Sequence, residues 1–306
     1  MNNSWFVVVN PKAGNGNFKA IWNEIQQELN KNEISFSYKQ TAYHKHEIEL
    51  VHKAIQQGFT KIISVGGDGT LHHVINGVMT QNYANSKEIT VAVIPIGTGN
   101  DWVKTYGIQP NNIEKAITNI VNNQTILQDI GKLETQNNQI NFFNNVAGIG
   151  YDGYVVNKLN NLKRFGPIAY LLSGVAGLFF YKKTHFTIDV NNEKIETKCL
   201  MTLFGICKYS AGGMQLTDYK KSNDGLFDIT IAKNLTFFDL IFNLKGLYSG
   251  AILKHTKVVT TKTNSLLITP TKGKQPTYIQ ADGELINTGM VKVSIISKAI
   301  NFVVPT

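Results

Sequence analysis

The chain has 306 residues, of which 42% are hydrophobic, so it is long enough for two globular domains and does not have the composition of a disordered protein. Lysine and arginine number 30 against 21 aspartates and glutamates, which gives a net charge of +9. This charge favours contact with polyanions such as nucleotides, anionic lipid surfaces or nucleic acid. We expect no nucleic-acid partner, because the lysines are scattered and no DNA- or RNA-binding motif is present.

Cysteine usage and apolar runs predict the cellular location. Cys199 and Cys207 lie among apolar residues, which is typical of buried thiols in a reducing compartment. The first residues show no signal-peptide pattern, so we expect a cytoplasmic protein. The longest apolar run, residues 168–181, is shorter than the ~20 residues that span a bilayer. Any membrane association is therefore expected to be peripheral, from one side.

The first part of the chain, up to about residue 128, alternates predicted strands and helices, as in a doubly wound α/β domain. Three of the strands are rich in apolar residues, and the first two helices carry apolar residues at helical spacing. The predicted strands cover 5–9, 34–40, 61–65 and 89–96, and the predicted helices cover 17–29, 46–57 and 71–77.

The rest of the chain shows alternating apolar and polar residues separated by polar turns, which predicts an antiparallel β domain. Its predicted strands cover 125–133, 139–148, 184–190, 198–208, 227–232, 265–269 and 291–304. Helices predicted within 167–181 and around 237–253 either cover the β layer or accept a lipid tail. The predicted domains are 1–128 and a β-rich antiparallel sandwich over 129–306, whose last few residues pack back on the first domain.

Three small-residue loops follow three of the predicted parallel strands. They are Asn10 to Gly16, Gly66-Gly67-Asp68-Gly69-Thr70 and Gly97-Thr98-Gly99-Asn100-Asp101. Glycine lets backbone N–H groups approach phosphate oxygens, and the carboxylate of Asp68 can hold Mg²⁺. In an open parallel sheet these loops gather at the carboxyl edge, where ligands bind. The alternative is that the glycines only allow tight strand-to-helix turns.

The ordered set of motifs resembles the catalytic domain of the diacylglycerol kinase family, and more narrowly its soluble bacterial lipid kinases. The resemblance covers nearly the whole chain. It rests on Asn10 to Gly14, Gly66 to Thr70, Gly97 to Asp101, Phe143-Asn144-Asn145, Gly148 to Asp152, Asn223-Asp224-Gly225 and Ala281-Asp282-Gly283-Glu284. It implies a nucleotide domain, a β-rich domain and an active site between them.

The resemblance also implies cofactor ligands. The residues expected to bind ATP are Asn10, Pro11, Lys12, Ala13, Gly14, Thr41, Gly66, Gly67, Asp68, Gly69, Thr70, Leu71, His72, His73, Thr98, Asn100 and Asp101. The catalytic Mg²⁺ is expected on Asp68 and Asp101, with Asp129 nearby in the acidic network. A structural Mg²⁺ is expected on the Asp224 carboxylate and the carbonyls of Lys221 and Leu226; the alternative for this segment is a plain turn.

The segment Asp282-Gly283-Glu284 is expected to supply the groups that act on the substrate hydroxyl. The resemblance makes Glu284 the proton acceptor for the substrate hydroxyl, and makes Asp282 the residue that orders the site. Asp-Gly is also a common hairpin turn, and from the sequence alone the two interpretations are equal. The chain departs from the family at His72 and His73, where relatives usually have Asn and Glu, and at Gly99, where they often have a hydroxyl residue.

The sequence therefore predicts an ATP- and Mg²⁺-dependent kinase that phosphorylates a lipid hydroxyl, with diacylglycerol or a related lipid as substrate. The expected partner is a lipid substrate at an anionic membrane surface, and a homodimer is one alternative for the oligomeric state. Two rival functions stay open: an NAD kinase, and a nucleotide- or lipid-binding regulator without turnover.

Overall fold

The computed structural model describes residues 2–14, 16–97, 99–159, 174, 177–272 and 276–306. The chain divides into two compact units, one formed by Met1–Ile130 with Ser297–Thr306 and the other by Gly131–Ile296. The predicted boundary was at residues 128 and 129. No helix among the described residues is long and apolar enough to cross a membrane.

The described elements are sixteen strands and eight α-helices. The strands are β1 (Asn2–Val9), β2 (Phe36–Gln40), β3 (Phe59–Gly66), β4 (Thr90–Pro95), β5 (Thr125–Thr135), β6 (Ile140–Phe143), β7 (Val146–Gly150), β8 (Thr184–Val190), β9 (Glu193–Cys199), β10 (Met201–Gly205), β11 (Phe227–Ala232), β12 (Val258–Thr263), β13 (Ser265–Lys272), β14 (Tyr278–Ala281), β15 (Glu284–Thr288) and β16 (Val291–Val303). The helices are α1 (Phe18–Lys31), α2 (His46–Gln56), α3 (Asp68–Thr80), α4 (Asp101–Thr105), α5 (Ile113–Asn122), α6 (Tyr151–Leu159), α7 (Phe237–Phe242) and α8 (Leu244–Ser249).

The first unit contains a parallel sheet in the order β2-β1-β3-β4-β16, where β16 contributes its C-terminal end. The chain moves from β1 outward to β2 and then returns to place β3 on the other side of β1. Such a reversal of strand order opens a crevice at the carboxyl ends of the two strands, and ligands of open parallel sheets bind there. The crevice of this sheet therefore lies between the loops that follow β1 and β3.

Helices cover both faces of this parallel sheet. On one face, Trp22, Ile25 and Leu29 of α1 join residues of α5 and alternate strand residues such as Val7 and Ile63 in a single buried core. The spacing of three and four residues puts the three α1 side chains on one side of the helix. On the other face, α2 and α3 pack closely, since a Cβ at Gly77 would lie 2.8 Å from Cβ of Val51.

The second unit contains two antiparallel sheets. One has six strands in the order β12-β11-β10-β7-β14-β15. The other pairs β9 with β8, β8 with β13 and β13 with the N-terminal part of β16. The prediction of a parallel α/β domain followed by an antiparallel β-rich domain is therefore confirmed.

Three predicted elements of the second unit are interrupted. The strand predicted over 139–148 breaks at Asn144 and Asn145, whose N–H groups bond to a side chain instead of a neighbouring strand. The strand predicted over 198–208 breaks at Leu200, because β9 belongs to one antiparallel sheet and β10 to the other. The helix predicted over 237–253 is two short helices that meet at Asn243, followed by a 3₁₀ turn at Ala251–Lys254. The helix predicted within 167–181 lies largely outside the described residues.

Candidate functional site

The loops that follow β1 and β3 meet at the crevice of the parallel sheet. The backbone N–H of Asn10 donates to the carbonyl of Val65 at 3.0 Å, and its side-chain amide donates to the hydroxyl of Thr70 at 2.9 Å. Thr41, which follows β2, donates its N–H to the carbonyl of Val9 at 2.8 Å. The structure thus brings the predicted residues Asn10, Thr41 and Thr70 to one edge of the first unit.

The turn after β1 is held in shape by Asn10. Its side-chain oxygen accepts the N–H of Lys12 at 3.0 Å, and its carbonyl accepts the N–H of Ala13 at 3.1 Å. Gly14 has φ +86°, a backbone conformation that favours glycine. Lys12 is exposed, so its ammonium is able to reach a ligand at this edge.

The two glycine loops after β3 and β4 touch through their backbones. A Cβ at Gly67 would lie 2.8 Å from the carbonyl oxygen of Gly99, and a Cβ at Gly97 would lie 2.6 Å from Cα of Gly67. Gly66 is equally constrained, because a Cβ there would lie 2.3 Å from the Thr70 hydroxyl oxygen. These glycines therefore serve close packing, as the alternative interpretation holds, and the same packing brings the N-terminus of α3 to the crevice.

Asp68 links the two loops through its carboxylate. One oxygen accepts the backbone N–H of Asp101 at 2.7 Å, and the other accepts the N–H of Trp102 at 3.3 Å. Both donors belong to the first turn of α4, whose N–H groups have no partner within the helix. Asp68 thereby caps α4 from a distant position in the chain.

The structure brings Asp101 next to Asp68, as the motif predicted. Asp101 is 6% exposed, and one of its carboxylate oxygens pairs with the ammonium of Lys104 at 2.7 Å, one helical turn later. The sequence interpretation missed this pairing, although the spacing of three residues on a helix is a signal that could have found it.

Asp129, the third predicted acidic residue, lies in β5 and is fully buried. One of its oxygens accepts the N–H of Lys298 at 2.7 Å, at a point where β16 has a residue with φ +50°. This bond fixes an irregular position of β16 in the sheet. The role of Asp129 near the catalytic magnesium stays a prediction.

His72 and His73 both lie in α3 and are buried, with 2% and 5% exposure. Nε2 of His72 lies 3.3 Å from the side-chain amide nitrogen of Asn76, one turn later. Burial lowers the pKa of His73 to about 3, and the nearby His72, His44 and Lys45 act in the same direction. His73 is therefore neutral at physiological pH and does not supply a positive charge for a phosphate.

The remaining residues predicted to bind the nucleotide have mixed outcomes. Asn100 is buried and donates its side-chain amide to the carbonyl of Gly97, which closes the loop after β4. Gly69 and Leu71 lie in the first turn of α3. Pro11 belongs to the turn held by Asn10. Thr98 lies outside the described residues.

In the second unit, Asp282 and Gly283 form the two-residue turn between β14 and β15. Their φ values are +50° and +83°, as in the mirror-image turns that suit hairpins. The Asp282 carboxylate accepts the N–H groups of Asn144 and Asn145 at 3.2 and 3.0 Å. Asp282 thus both makes the turn and fixes the backbone between β6 and β7, which supports its predicted ordering role.

Glu284 is the first residue of β15, which lies at the edge of the six-stranded sheet. Its side chain is partly exposed, as a group that must reach a substrate requires. The ordered turn before it sets the direction in which β15 begins.

Asn144 and Asn145 are ordering residues that sequence reasoning did not assign. Asn145 is 4% exposed and donates its side-chain amide to the carbonyl of Tyr209 at 2.9 Å. The segment Phe143-Asn144-Asn145 was part of the resemblance, but a pair of asparagines between two apolar runs equally describes an ordinary turn and did not indicate this role.

The predicted structural magnesium site contains a lysine that the sequence interpretation did not foresee. One oxygen of Asp224 accepts the N–H of Leu226 at 3.1 Å, and the other pairs with the ammonium of Lys262 at 3.2 Å. Lys262 also lies 3.1 Å from the carboxylate of Asp228, which is 3% exposed. Lys262 therefore shares one positive charge between Asp224 and Asp228, and the magnesium at Asp224, Lys221 and Leu226 stays a prediction.

The carboxylates of Asp68 and Asp101, which are predicted to hold the catalytic magnesium, fit such an ion by their chemistry, with Lys104 paired to one Asp101 oxygen. Mg²⁺ prefers hard oxygen ligands and is commonly held by one or two carboxylates together with substrate phosphates. A carboxylate has about four acceptor positions, so the bonds to backbone N–H groups leave room for a further interaction. A Cβ at Gly99 would lie 3.8 Å from an Asp68 oxygen, an ordinary van der Waals distance, so Gly99 does not crowd this carboxylate.

Two family profiles match the chain along its length. The profile described as "Diacylglycerol kinase catalytic domain" matches residues 4–133, and the profile described as "YegS C-terminal NAD kinase beta sandwich-like domain" matches residues 145–304. The second match alone covers more than half of the chain, and the two follow one another in the order of the two units.

Similar proteins carry the same family name. A diacylglycerol kinase of Bacillus subtilis (strain 168) is 26% identical over 284 residues, covering 91% of this chain and 88% of the relative. A diacylglycerol kinase of Staphylococcus carnosus (strain TM300) is 27% identical over 263 residues, covering 86% and 83%. The crystal structure of a diacylglycerol kinase from Bacillus anthracis str. Sterne has a TM-score of 0.73 at 19% identity and covers 99% and 97%, which is evidence for the fold alone. The chain therefore belongs to the diacylglycerol kinase catalytic-domain family and is a phosphotransferase with an alcohol group as acceptor.

Proposed function

We propose that the protein is an ATP- and Mg²⁺-dependent lipid kinase that transfers the γ-phosphoryl group to the hydroxyl of diacylglycerol, a related glycerolipid or a long-chain base. With diacylglycerol the products are phosphatidic acid and ADP. The observation that carries the proposal is the meeting of the loops after β1, β3 and β4, with Asp68 bonded to the first turn of α4. The names of the relatives support the choice of a lipid acceptor.

The nucleotide phosphates are assigned to the crevice of the first unit. Backbone N–H groups at the start of α3 and the exposed ammonium of Lys12 favour an anion there. Asp68 and Asp101 hold the magnesium, which when bound neutralises charge on the phosphoryl oxygens. The cap that Asp68 gives to α4 keeps both carboxylates in place before the nucleotide arrives.

Glu284 is assigned as the general base. An alcohol has a pKa far above neutrality, so its proton must leave as its oxygen attacks the γ-phosphorus. In this step the acceptor oxygen forms a bond to phosphorus, the bond from phosphorus to the β-phosphate oxygen breaks, and the proton moves to the Glu284 carboxylate. Asp282 acts through the backbone: it holds the turn that precedes Glu284 and thereby orients the base.

The proposal is tested by following γ-phosphate transfer from radiolabelled ATP by the purified full chain. The acceptors are a short-chain diacylglycerol, monoacylglycerol, sphingosine, ceramide, undecaprenol and NAD. We expect magnesium-dependent labelling of diacylglycerol or a related lipid and none of NAD. Labelling of NAD alone would establish the rival NAD kinase. ATP binding without transfer to any acceptor would favour a regulator without turnover.

A further inference from the structure

Several large apolar side chains of the second unit are exposed close together. Phe179, Phe180, Phe238 and Phe242 are 66%, 73%, 63% and 82% exposed. Phe237 connects two of them: its ring centroid lies 4.1 Å from that of Phe179 and 5.6 Å from that of Phe238. The ring centroids of Phe238 and Phe242 are 6.4 Å apart. These five residues, named here the phenylalanine surface, form an apolar patch of the kind that marks an interaction site.

Helix α7 presents this surface in a fixed orientation. Thr236 and Asp239 cap its N-terminus through a reciprocal pair of hydrogen bonds, and Leu240 anchors it from the buried side. Phe238 and Phe242 are four residues apart, so they lie on the same face of the helix. The exposed rings of Phe238 and Phe242 therefore belong to a helix whose N-terminus is capped and whose Leu240 is buried.

The two segments of the chain that carry the phenylalanine surface have a positive net charge. Residues 177–183 and 233–257 contain six lysines and one aspartate. The lysines are Lys182, Lys183, Lys233, Lys245, Lys254 and Lys257. The aspartate, Asp239, is bonded to Lys257 at 2.6 Å and to Thr236, so its charge is neutralised. Lys182, Lys245 and Lys254 are exposed.

We propose that the phenylalanine surface and its lysines are the site at which the protein docks on an anionic lipid bilayer. The proposal rests on the proposed lipid kinase function and adds the place of membrane contact. Phenyl rings enter the interfacial region of the bilayer, while the lysines stay at the level of the anionic headgroups. This combination of apolar area and positive charge is the recognition chemistry of a peripheral membrane protein.

A second copy of the chain is a poorer occupant of this surface. The chain carries a net charge of +9, and a symmetric contact would place the same lysines opposite one another. Like charges brought together raise the free energy of the complex, whereas an anionic bilayer lowers it. Charge complementarity therefore favours lipid over self-association.

A tryptophan at position 242 tests the insertion directly. The three native tryptophans, Trp5, Trp22 and Trp102, are all at most 6% exposed, so a Phe242→Trp variant gives a distinct signal from the surface. With vesicles of roughly three parts phosphatidylcholine to one part phosphatidylglycerol we expect a blue shift, quenching by brominated acyl chains, and weakening of both by salt. An unshifted and unquenched tryptophan, with the protein bound to the vesicles, would overturn the proposal.

The double variant Phe238→Ser/Phe242→Ser tests how much of the binding depends on the surface. We expect the affinity for the same vesicles, measured by sedimentation, to fall at least about tenfold, because two apolar side chains are no longer available to be buried in the bilayer. Tyr83→Ser is the matched control, since Tyr83 is an aromatic residue of the first unit with 56% exposure, and its vesicle binding should equal that of the parent. Circular dichroism of all variants checks that they fold.

The two proposals fail in different ways. Loss of vesicle binding with unchanged phosphorylation of a dissolved short-chain diacylglycerol supports the docking surface. Unchanged vesicle binding of the double variant overturns it, and so does a change of oligomeric state alone, which would mark a contact between copies. If the parent phosphorylates no acceptor but still binds vesicles through this surface, the proposed function fails and the docking surface stands.

Discussion

The carboxylate of Asp68 has two roles, and two different measurements on one variant report on each of them. It accepts two N–H groups at the start of α4, and it is a proposed ligand of the magnesium. In an Asp68→Asn variant one of the two carboxylate oxygens is replaced by an NH₂ group, which cannot accept an N–H bond, and the negative charge is lost. We expect unfolding to become easier by about 1–2 kcal/mol, the usual scale for a lost helix cap.

The same variant should bind magnesium-ATP at least about tenfold more weakly, because a charge-assisted interaction is worth about 1.5–3 kcal/mol. Calorimetric titration of ATP with and without Mg²⁺ measures this change. Glu114→Gln, at an exposed position of α5, is the control for charge removal. Equal affinity of Asp68→Asn and parent for magnesium-ATP would remove Asp68 from the metal site.

His73 predicts a pH dependence of stability. Its pKa is lowered to about 3 in the folded chain, chiefly by burial, whereas an unfolded histidine titrates near ~6.5. Below about pH 6.5 the unfolded chain takes up a proton that the folded chain refuses, so this histidine's contribution to stability is complete above about pH 6.5 and declines as the pH falls towards about 3.

Urea unfolding of the parent and of His73→Gln at about pH 7.5 and about pH 5.5 tests this linkage. Between these two pH values the free energy of unfolding of the parent should fall by about 1.4 kcal/mol more than that of the variant. This amount corresponds to one additional proton bound by the unfolded chain over one pH unit below the pKa of an unfolded histidine. Parallel pH profiles of the two proteins would show that His73 is accessible to protons in the fold.

At the scale of elements, the parallel sheet was largely predictable and the β-rich unit was less so. Mostly apolar runs ending in glycine, such as 62–65 before Gly66, indicate buried parallel strands clearly. Strands β12, β14 and β15 were not predicted, because β12 and β15 are only partly buried and largely polar and β14 has only four residues, so each leaves little apolar signal. Helix α5 was missed as well, although Ile113, Ile117 and Ile120 lie at helical spacing.

The sequence predicted which residues belong to the site, but it did not predict the contacts that each side chain makes. The motif identified Asp68 and Asp282, yet only the structure relates Asp68 to α4 and Asp282 to the backbone of Asn144 and Asn145. Such bonds join residues 33 to 138 positions apart in the chain, and no local pattern encodes them. The pairing of Lys262 with Asp224 and Asp228 could not be predicted from the sequence for the same reason.

Lys262 joins β12 to the turn before β11, and its removal should weaken the second unit. In a Lys262→Met variant the buried Asp228 and the nearby Asp224 lose their cation. We expect a loss of about 1–3 kcal/mol, less than the 3–5 kcal/mol typical of a fully buried pair, because Lys262 keeps 29% side-chain exposure.

Magnesium should restore part of that loss, since two carboxylates without a cation form a better site for it. Urea unfolding of Lys262→Met with millimolar Mg²⁺ and with a chelator measures the effect, and Lys194→Met, at an exposed position of β9, is the control. A Lys262→Met protein as stable as the parent in chelator would mean that Asp228 is not held by this pair.

At the scale of the whole molecule, the proposed reaction draws on both units. The first unit supplies the crevice of a parallel sheet, with Asp68 and Asp101 at its edge. The second unit supplies Glu284 after an ordered hairpin turn, together with an exposed aromatic surface flanked by lysines. The proposed roles of the two units follow from their architectures. Parallel strands gather loops at one edge of a sheet, and antiparallel hairpins hold single side chains in place.

The most direct test of these proposed roles is the turnover of Glu284→Gln with ATP and a dissolved short-chain diacylglycerol, with ATP affinity measured on the same preparation. We predict a fall in kcat of roughly 10²-fold or more with nearly unchanged ATP binding, because the variant keeps the shape of the side chain and loses only its basicity. Glu193→Gln, at an exposed position of β9, should match the parent. A Glu284→Gln enzyme with the parent's kcat would contradict the assignment of this carboxylate as the general base and, with it, the proposed chemistry.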